Sequence, residues 1–235
     1  MRIPCEKLTR TALRGAAALL LALFCACLTA RAQGAGGAPA NLCRNGGFAS
    51  DAKEFRAARV RGPRGSRAYF YGEDEGCPGP EAKCRQKTYV VSGDALVVSR
   101  AYGDYVCAWF QPARGYETVG WLRSDRLELS GPDADPAPAR WLGEWALHEN
   151  SLSIRRGAKA GELRVEGSAV WHGIGDNVHV GEVAASAAPV GASLTLEDDI
   201  CKLTLRLVGD FLVADDNGEC GGVNVTFDGV YRRKK

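Results

Sequence analysis

Apolar and polar residues alternate with period two from about residue 68 to the end of the chain, and neither half shows an apolar repeat at helical period. The pattern is plainest in Cys201 to Val208, where Leu203, Leu205 and Leu207 face one way and Lys202, Thr204 and Arg206 the other. Such a strand has one buried and one wet face. Leu163 and Val165 against Glu162, Arg164 and Glu166 repeat it, as do Leu194 and Leu196. The first half is predicted to carry strands at 68–71, 88–91, 95–100, 105–111, 117–123 and 127–129. The second is predicted to carry them near 143–148, 151–155, 162–171, 178–184, 192–197, 201–208, 211–215 and 225–232. The chain is therefore all-β. The short strands of the first half suit a small barrel, and the second half suits an antiparallel barrel or compact sandwich.

Punctuation divides the chain further. Ser130 to Arg140 reads SGPDADPAPAR, with three prolines and no large apolar residue, so residues 131–140 read as a semi-rigid linker between modules at 43–130 and 141–235. Residues 1–32 read as a secretory leader. Arg2, Lys7, Arg10 and Arg14 precede an apolar run from Ala16 to Leu28, and Ala30-Arg31-Ala32 supplies a small-x-small cleavage site. The run has 13 residues, short of the roughly 20 that a spanning helix needs. A periplasmic or secreted protein without a transmembrane segment is the expectation, with a flexible stretch at 33–42. Lipidation at Cys27 is the alternative reading of the leader.

Removing the leader changes the charge and the cysteine count. It carries five of the 30 basic residues and one of the 28 acidic ones, leaving 25 against 27 and a net of −2. No basic block remains apart from the tail Arg232-Arg233-Lys234-Lys235, so nucleic acid is excluded as an expected partner. Six cysteines remain, Cys43, Cys77, Cys84, Cys107, Cys201 and Cys220, an even number that reads as three disulfides in an oxidising compartment. A tight turn at Gly209-Asp210 pairs Val208 with Phe211 and Leu205 with Ala214, which sets Cys201 across from Gly218. Cys220 lies two residues further on, so a bulge brings the pair Cys201–Cys220 within reach. For the other four, Cys84–Cys107 stapling two strands with Cys43–Cys77 tying down the amino-terminal extension is expected. The alternative is a local Cys77–Cys84 loop around Pro78 and Pro80.

Candidate chemistry is sparse. His148, His172 and His179 have no standard ligand spacing, and a metal or acid-base site would need two of them to converge with an acid such as Asp176. The pairs Asp198-Asp199 and Asp215-Asp216 point to opposite faces of a strand and read as strand ends. Gly173-Ile174-Gly175 is a turn, because no helix follows it. The cysteines lack Cys-x-x-Cys spacing. No catalytic residue, metal or cofactor is assigned, and the expectation is a binding protein, not an enzyme. Aromatics carry that expectation. Tyr102, Tyr105, Trp109 and Tyr116 are the candidate ligand-facing group, because flat rings with polar handles grip peptides and sugars at low entropic cost. Trp121 reads as core.

Two strings resemble known families. Arg67-Ala-Tyr-Phe-Tyr71, Thr88-Tyr-Val-Val-Ser-Gly-Asp94 leading into Ala95-Leu-Val-Val98, Tyr105-Val-Cys-Ala-Trp-Phe110 and Thr118-Val-Gly-Trp-Leu122 together resemble a bacterial SH3-like domain over residues 67–129. The resemblance implies a small barrel contacting peptidoglycan or an envelope protein. Cys220-Gly-Gly-Val-Asn-Val-Thr-Phe-Asp-Gly-Val-Tyr231 is similar to a segment closing small exported bacterial domains, some of them lysozyme-inhibitor-like. The expected function is an exported, non-catalytic binding protein of the cell envelope. The alternative is an inhibitor or immunity protein against a wall-degrading hydrolase, a muramidase being the partner.

Overall fold

The computed structural model describes residues 40–43, 47–50, 52–74, 76–131 and 134–234. The leader at 1–32, its possible lipidation at Cys27 and most of the stretch 33–42 lie outside the described residues. No helix among the described residues is long and apolar enough to cross a membrane.

The protein is all-β, with two antiparallel sheets. The first contains β1 (Arg56–Val60), β2 (Arg67–Tyr71), β3 (Arg85–Val91), β4 (Ala95–Tyr102), β5 (Tyr105–Phe110), β6 (Thr118–Arg123) and β7 (Leu127–Leu129), in the order β3-β2-β6-β5-β4-β1-β7. The second contains β8 (Gly143–Leu147), β9 (Asn150–Arg156), β10 (Leu163–His172), β11 (Val178–Ala187), β12 (Ser193–Asp198), β13 (Cys201–Val208), β14 (Phe211–Asp216) and β15 (Gly229–Arg233). Its order is β11-β10-β9-β8-β15-β14-β13-β12, and β11 returns close to β12 to make a nearly closed barrel. Alternation drives this closure: Leu203, Leu205 and Leu207 of β13, Leu194 and Leu196 of β12, and Leu163 and Val165 of β10 share one interior core. The Gly209-Asp210 turn pairs Val208 with Phe211 and Leu205 with Ala214, as the two-residue spacing predicts.

A second core lies between the sheets. Successive residues of β14 point to opposite faces, so Leu212 and Ala214 enter the barrel interior while Phe211 and Val213 leave it. The outward pair packs with Val208 and Val230 against Tyr105, Cys107, Trp109 and Trp121 of the first sheet, and with Phe48 of the segment ahead of β1. Residues 211–214 of β14 are thus buried on both faces. The sheets are also tied by a polar contact: Arg232 Nη1 donates to the Gln111 carbonyl at 3.3 Å.

Among the described residues three disulfides fasten this arrangement: Cys43–Cys107, Cys77–Cys84 and Cys201–Cys220. The third is the pair expected from the hairpin register. The expected staple Cys84–Cys107 and the pair Cys43–Cys77 do not form. Cys84 precedes β3, and in the strand order β2 and β6 lie between β3 and β5. Three sheet spacings of about 4.8 Å put those strands roughly 14 Å apart, twice the reach of a disulfide at about 7 Å. Cys107 instead bonds to Cys43, close to Asn41, whose carbonyl accepts the Trp121 Nε1–H at 2.7 Å.

Candidate functional site

The alternation of β5 places Tyr105, Cys107 and Trp109 on one face, as read from the sequence, but that face is turned into the core between the sheets. Tyr105 is 6% and Trp109 3% exposed. Trp109 stands against Phe211, and the Tyr105 ring meets Tyr71 at 4.9 Å. Burial pushes the Tyr105 hydroxyl upward in pKa. Tyr102 stays exposed, leaning on the buried Trp121 with ring centroids 5.9 Å apart. Tyr116 is 81% exposed. The expected ligand-facing group of Tyr102, Tyr105, Trp109 and Tyr116 is therefore not assembled on one surface. Only Tyr102 and Tyr116 face solvent.

The three histidines have separate partners. His148 sits in the two-residue turn between β8 and β9 at φ 52°, and its Nε2 lies 2.7 Å from Glu117 Oε2. Its ring is also 5.6 Å from that of Tyr116. His172 Nε2 approaches Glu149 Oε2 at 2.5 Å, and His179 Nδ1 meets the Val223 carbonyl at 2.6 Å. Among the described residues no group of three or more His, Cys, Asp or Glu side chains is placed to hold a metal ion. The Asp pairs act as strand ends. Asp198 accepts the Ala184 N–H at 2.8 Å, and Asp216 accepts from Phe227 N and Gly218 N at 2.5 and 2.7 Å, fixing the loop that leads to β15.

Glu117 and Asp228 share a cavity of about 60 Å³ where the sheets meet, walled by Phe48, Trp109, Leu147 and Val230. Burial, the largest cause, pushes the Asp228 carboxyl up to about 6. Its Oδ1 accepts the Asp216 N–H at 2.7 Å. The cavity is smaller than the roughly 300 Å³ at which ligand pockets begin. It reads as a polar seam of the interface.

Several exposed apolar side chains lie toward the far end of the β10–β11 hairpin. Ile174, at the turn, is 99% exposed, and Val223 of the neighbouring loop 71%. Val178 and Val180 alternate onto the outer face of β11, and both are exposed. These residues stand on a fixed base. Ten consecutive residue pairs join β10 to β11. Gly173 N donates to the Asn177 carbonyl at 2.7 Å, closing the turn. The loop bearing Val223 is tied by the Cys201–Cys220 disulfide and by His179, whose ring packs on Trp171 at 5.2 Å. The sequence marks Gly173 to Gly175 as a turn without singling out Ile174. The signal was an isoleucine between two glycines, where a turn would expose it.

The chain matches no protein-family model, no curated protein and no solved structure.

Proposed function

We propose that this is an exported, non-catalytic binding protein of the bacterial cell envelope that holds a protein partner at the β10–β11 end of its second sheet. The observation that carries the reading is Ile174, wholly exposed on a hairpin tip, with Val178, Val180 and Val223 exposed at the same end of the barrel. Exposed apolar side chains on a rigid, disulfide-tied scaffold are placed for insertion into a partner's cleft, since little entropy is lost on binding. The separate partnering of the three histidines supports a non-catalytic role. The resemblance of residues 201–231 to lysozyme-inhibitor-like segments makes a muramidase the partner to try first.

Contact of the first sheet with peptidoglycan is the second reading. It is favoured by Tyr102 and Tyr116, which remain exposed, and weakened by the burial of Tyr105 and Trp109. One experiment separates the two. Residues 33–235 are run with a purified muramidase on a sizing column and, separately, pelleted with purified sacculi. A discrete complex with the enzyme supports the first reading. Pelleting with sacculi alone, without a complex, replaces it with the second.

A further inference from the structure

The free edge of the first sheet carries a second surface of different chemistry, which the reading above does not use. On β2, Arg67, Tyr69 and Tyr71 recur every second residue and so share one face. The β2–β3 register sets Tyr89 directly across from Tyr69, with the rings 5.7 Å apart at 62°. Each ring holds an arginine. The Arg67 guanidinium lies 4.3 Å from the Tyr89 centroid, and that of Arg85 lies 5.0 Å from the Tyr69 centroid. Beside them a concavity of about 240 Å³ is lined by Arg67, Tyr69, Tyr71, Arg85, Arg123 and Arg126, with Asp125 its only carboxylate. Asp125 is committed to Arg123 through two hydrogen bonds of 3.1 and 2.7 Å.

Charge is therefore unbalanced at this site. Some arginines elsewhere face carboxylates, as Arg206 does Asp215 and Arg164 does Glu166. Neither Arg67 nor Arg85 has an ion-pair partner among the described residues. Arg67 is also hydrogen-bonded to the Tyr69 side chain; a guanidinium held on an aromatic face loses rotamer freedom in advance, and the N–H groups that the tyrosines do not engage suit capture of an oxyanion. The stacking also limits the class of ligand. A nucleobase binds by stacking on an open ring face, and here guanidinium groups cover Tyr69 and Tyr89. Five successive residues of β3, Arg85 to Tyr89, are exposed, and Gln86, Lys87 and Thr88 among them offer hydrogen bonds but no apolar pocket. That fits a hydroxyl-rich chain better than a peptide.

We propose that Arg67, Arg85 and Arg126, set by Tyr69 and Tyr89, bind the carboxylate or phosphate groups of an anionic polysaccharide. The site lies on the opposite module from the apolar hairpin end, so the chain would hold a polymer with one sheet and a protein with the other.

The test is titration of residues 33–235 with sized polygalacturonate, with a phosphomannan, with neutral dextran and with single-stranded DNA, at low and high salt. Binding to one or both charged glycans, none to dextran, and weakening with salt are expected; the glycan that binds identifies the anion. Arg67→Gln with Arg85→Gln should lower affinity at least about tenfold, and Arg67→Lys with Arg85→Lys should lower it less, because charge remains but the fork is lost. Tyr69→Leu with Tyr89→Leu should weaken binding while leaving the charge unchanged. Arg155→Gln with Arg156→Gln, an equal charge loss on the second sheet, should leave it unaltered. Equal weakening by that control, absence of glycan binding, or tighter binding of DNA than of either glycan would each overturn the proposal.

Discussion

The ring of Trp109 on β5 stands edge-on to that of Phe211 on β14, with centroids 5.6 Å apart and planes at 78°. This contact joins the two sheets, since Trp109 comes from the first and Phe211 from the second. Trp109→Ala should cost about 3–5 kcal/mol. A double-mutant cycle with Phe211→Ala should show a coupling of about 0.5–1.5 kcal/mol. Denaturant unfolding followed by tryptophan fluorescence and by far-ultraviolet circular dichroism checks both values. If the sheets are joined as described, the two signals coincide in the parent and separate in Trp109→Ala.

The disulfides should differ in worth. Cys43–Cys107 closes a separation of 64 residues, and Cys77–Cys84 one of 7. Loop-closure entropy assigns about 4 kcal/mol to the first and about 2 kcal/mol to the second. Cys43→Ala with Cys107→Ala should therefore lower the unfolding midpoint more than Cys77→Ala with Cys84→Ala, measured under the same non-reducing conditions. The reverse order would place the strain or the residual structure elsewhere.

Asp228 links stability to pH. Its folded-state pKa is raised from 3.8 to about 6, first by burial, so the folded protein holds this proton over a range in which the unfolded chain has lost it. Its contribution is fully present below the lower value, declines as pH rises from about 4 to 6, and is gone above. A fully buried group with this shift would lose about 3 kcal/mol, and partial exposure of Asp228 reduces that to on the order of 1 kcal/mol. Asp228→Asn keeps an acceptor for the Asp216 N–H. It should raise stability at pH 7 relative to the parent and flatten the profile between pH 4 and 6, as followed by thermal unfolding.

The barrel seam closes through a backbone contact at Gly181 of β11. A Cβ there would sit 2.2 Å from the Cys220 carbonyl oxygen and 3.0 Å from Gly221 Cα. Neither can rotate away. Gly181→Ala should cost about 1–3 kcal/mol by overpacking and should speed hydrogen exchange at the Gly222 amide, which donates to the Val180 carbonyl. An unchanged midpoint would mean that the seam opens more easily than its geometry suggests.

Much of the fold was legible because β-alternation and two-residue turns act locally. The register of β13 on β14, with Val208 opposite Phe211, follows from the Gly209-Asp210 spacing, and with it the Cys201–Cys220 bridge. Strand β1 was missed because Arg56-Ala-Ala-Arg-Val60 looks polar. Only Ala58 and Val60 are buried, and the strand owes its place to pairing with both β4 and β7. The last strand begins at Gly229, four residues later than expected, because Asp216 captures Phe227 and holds residues 217–228 as a loop. The surfaces were harder to read. Alternation gave Tyr105 and Trp109 a common face without saying what covered it, and a second sheet does. Arg67 and Tyr89 are 22 positions apart in sequence. Their stacking depends on the β2–β3 register and its irregularity near Tyr69, which no local pattern encodes.

Muramidase turnover on purified sacculi, with residues 33–235 added, tests the proposed grip of the β10–β11 end on a protein partner. Parallel assays use Ile174→Asp and Val223→Asp, both exposed positions whose change leaves the core intact. The parent should inhibit stoichiometrically, and each variant should lose at least about tenfold in potency, as for an apolar anchor replaced by a charge. Turnover unaffected by the parent, or inhibition that survives both substitutions, would contradict it.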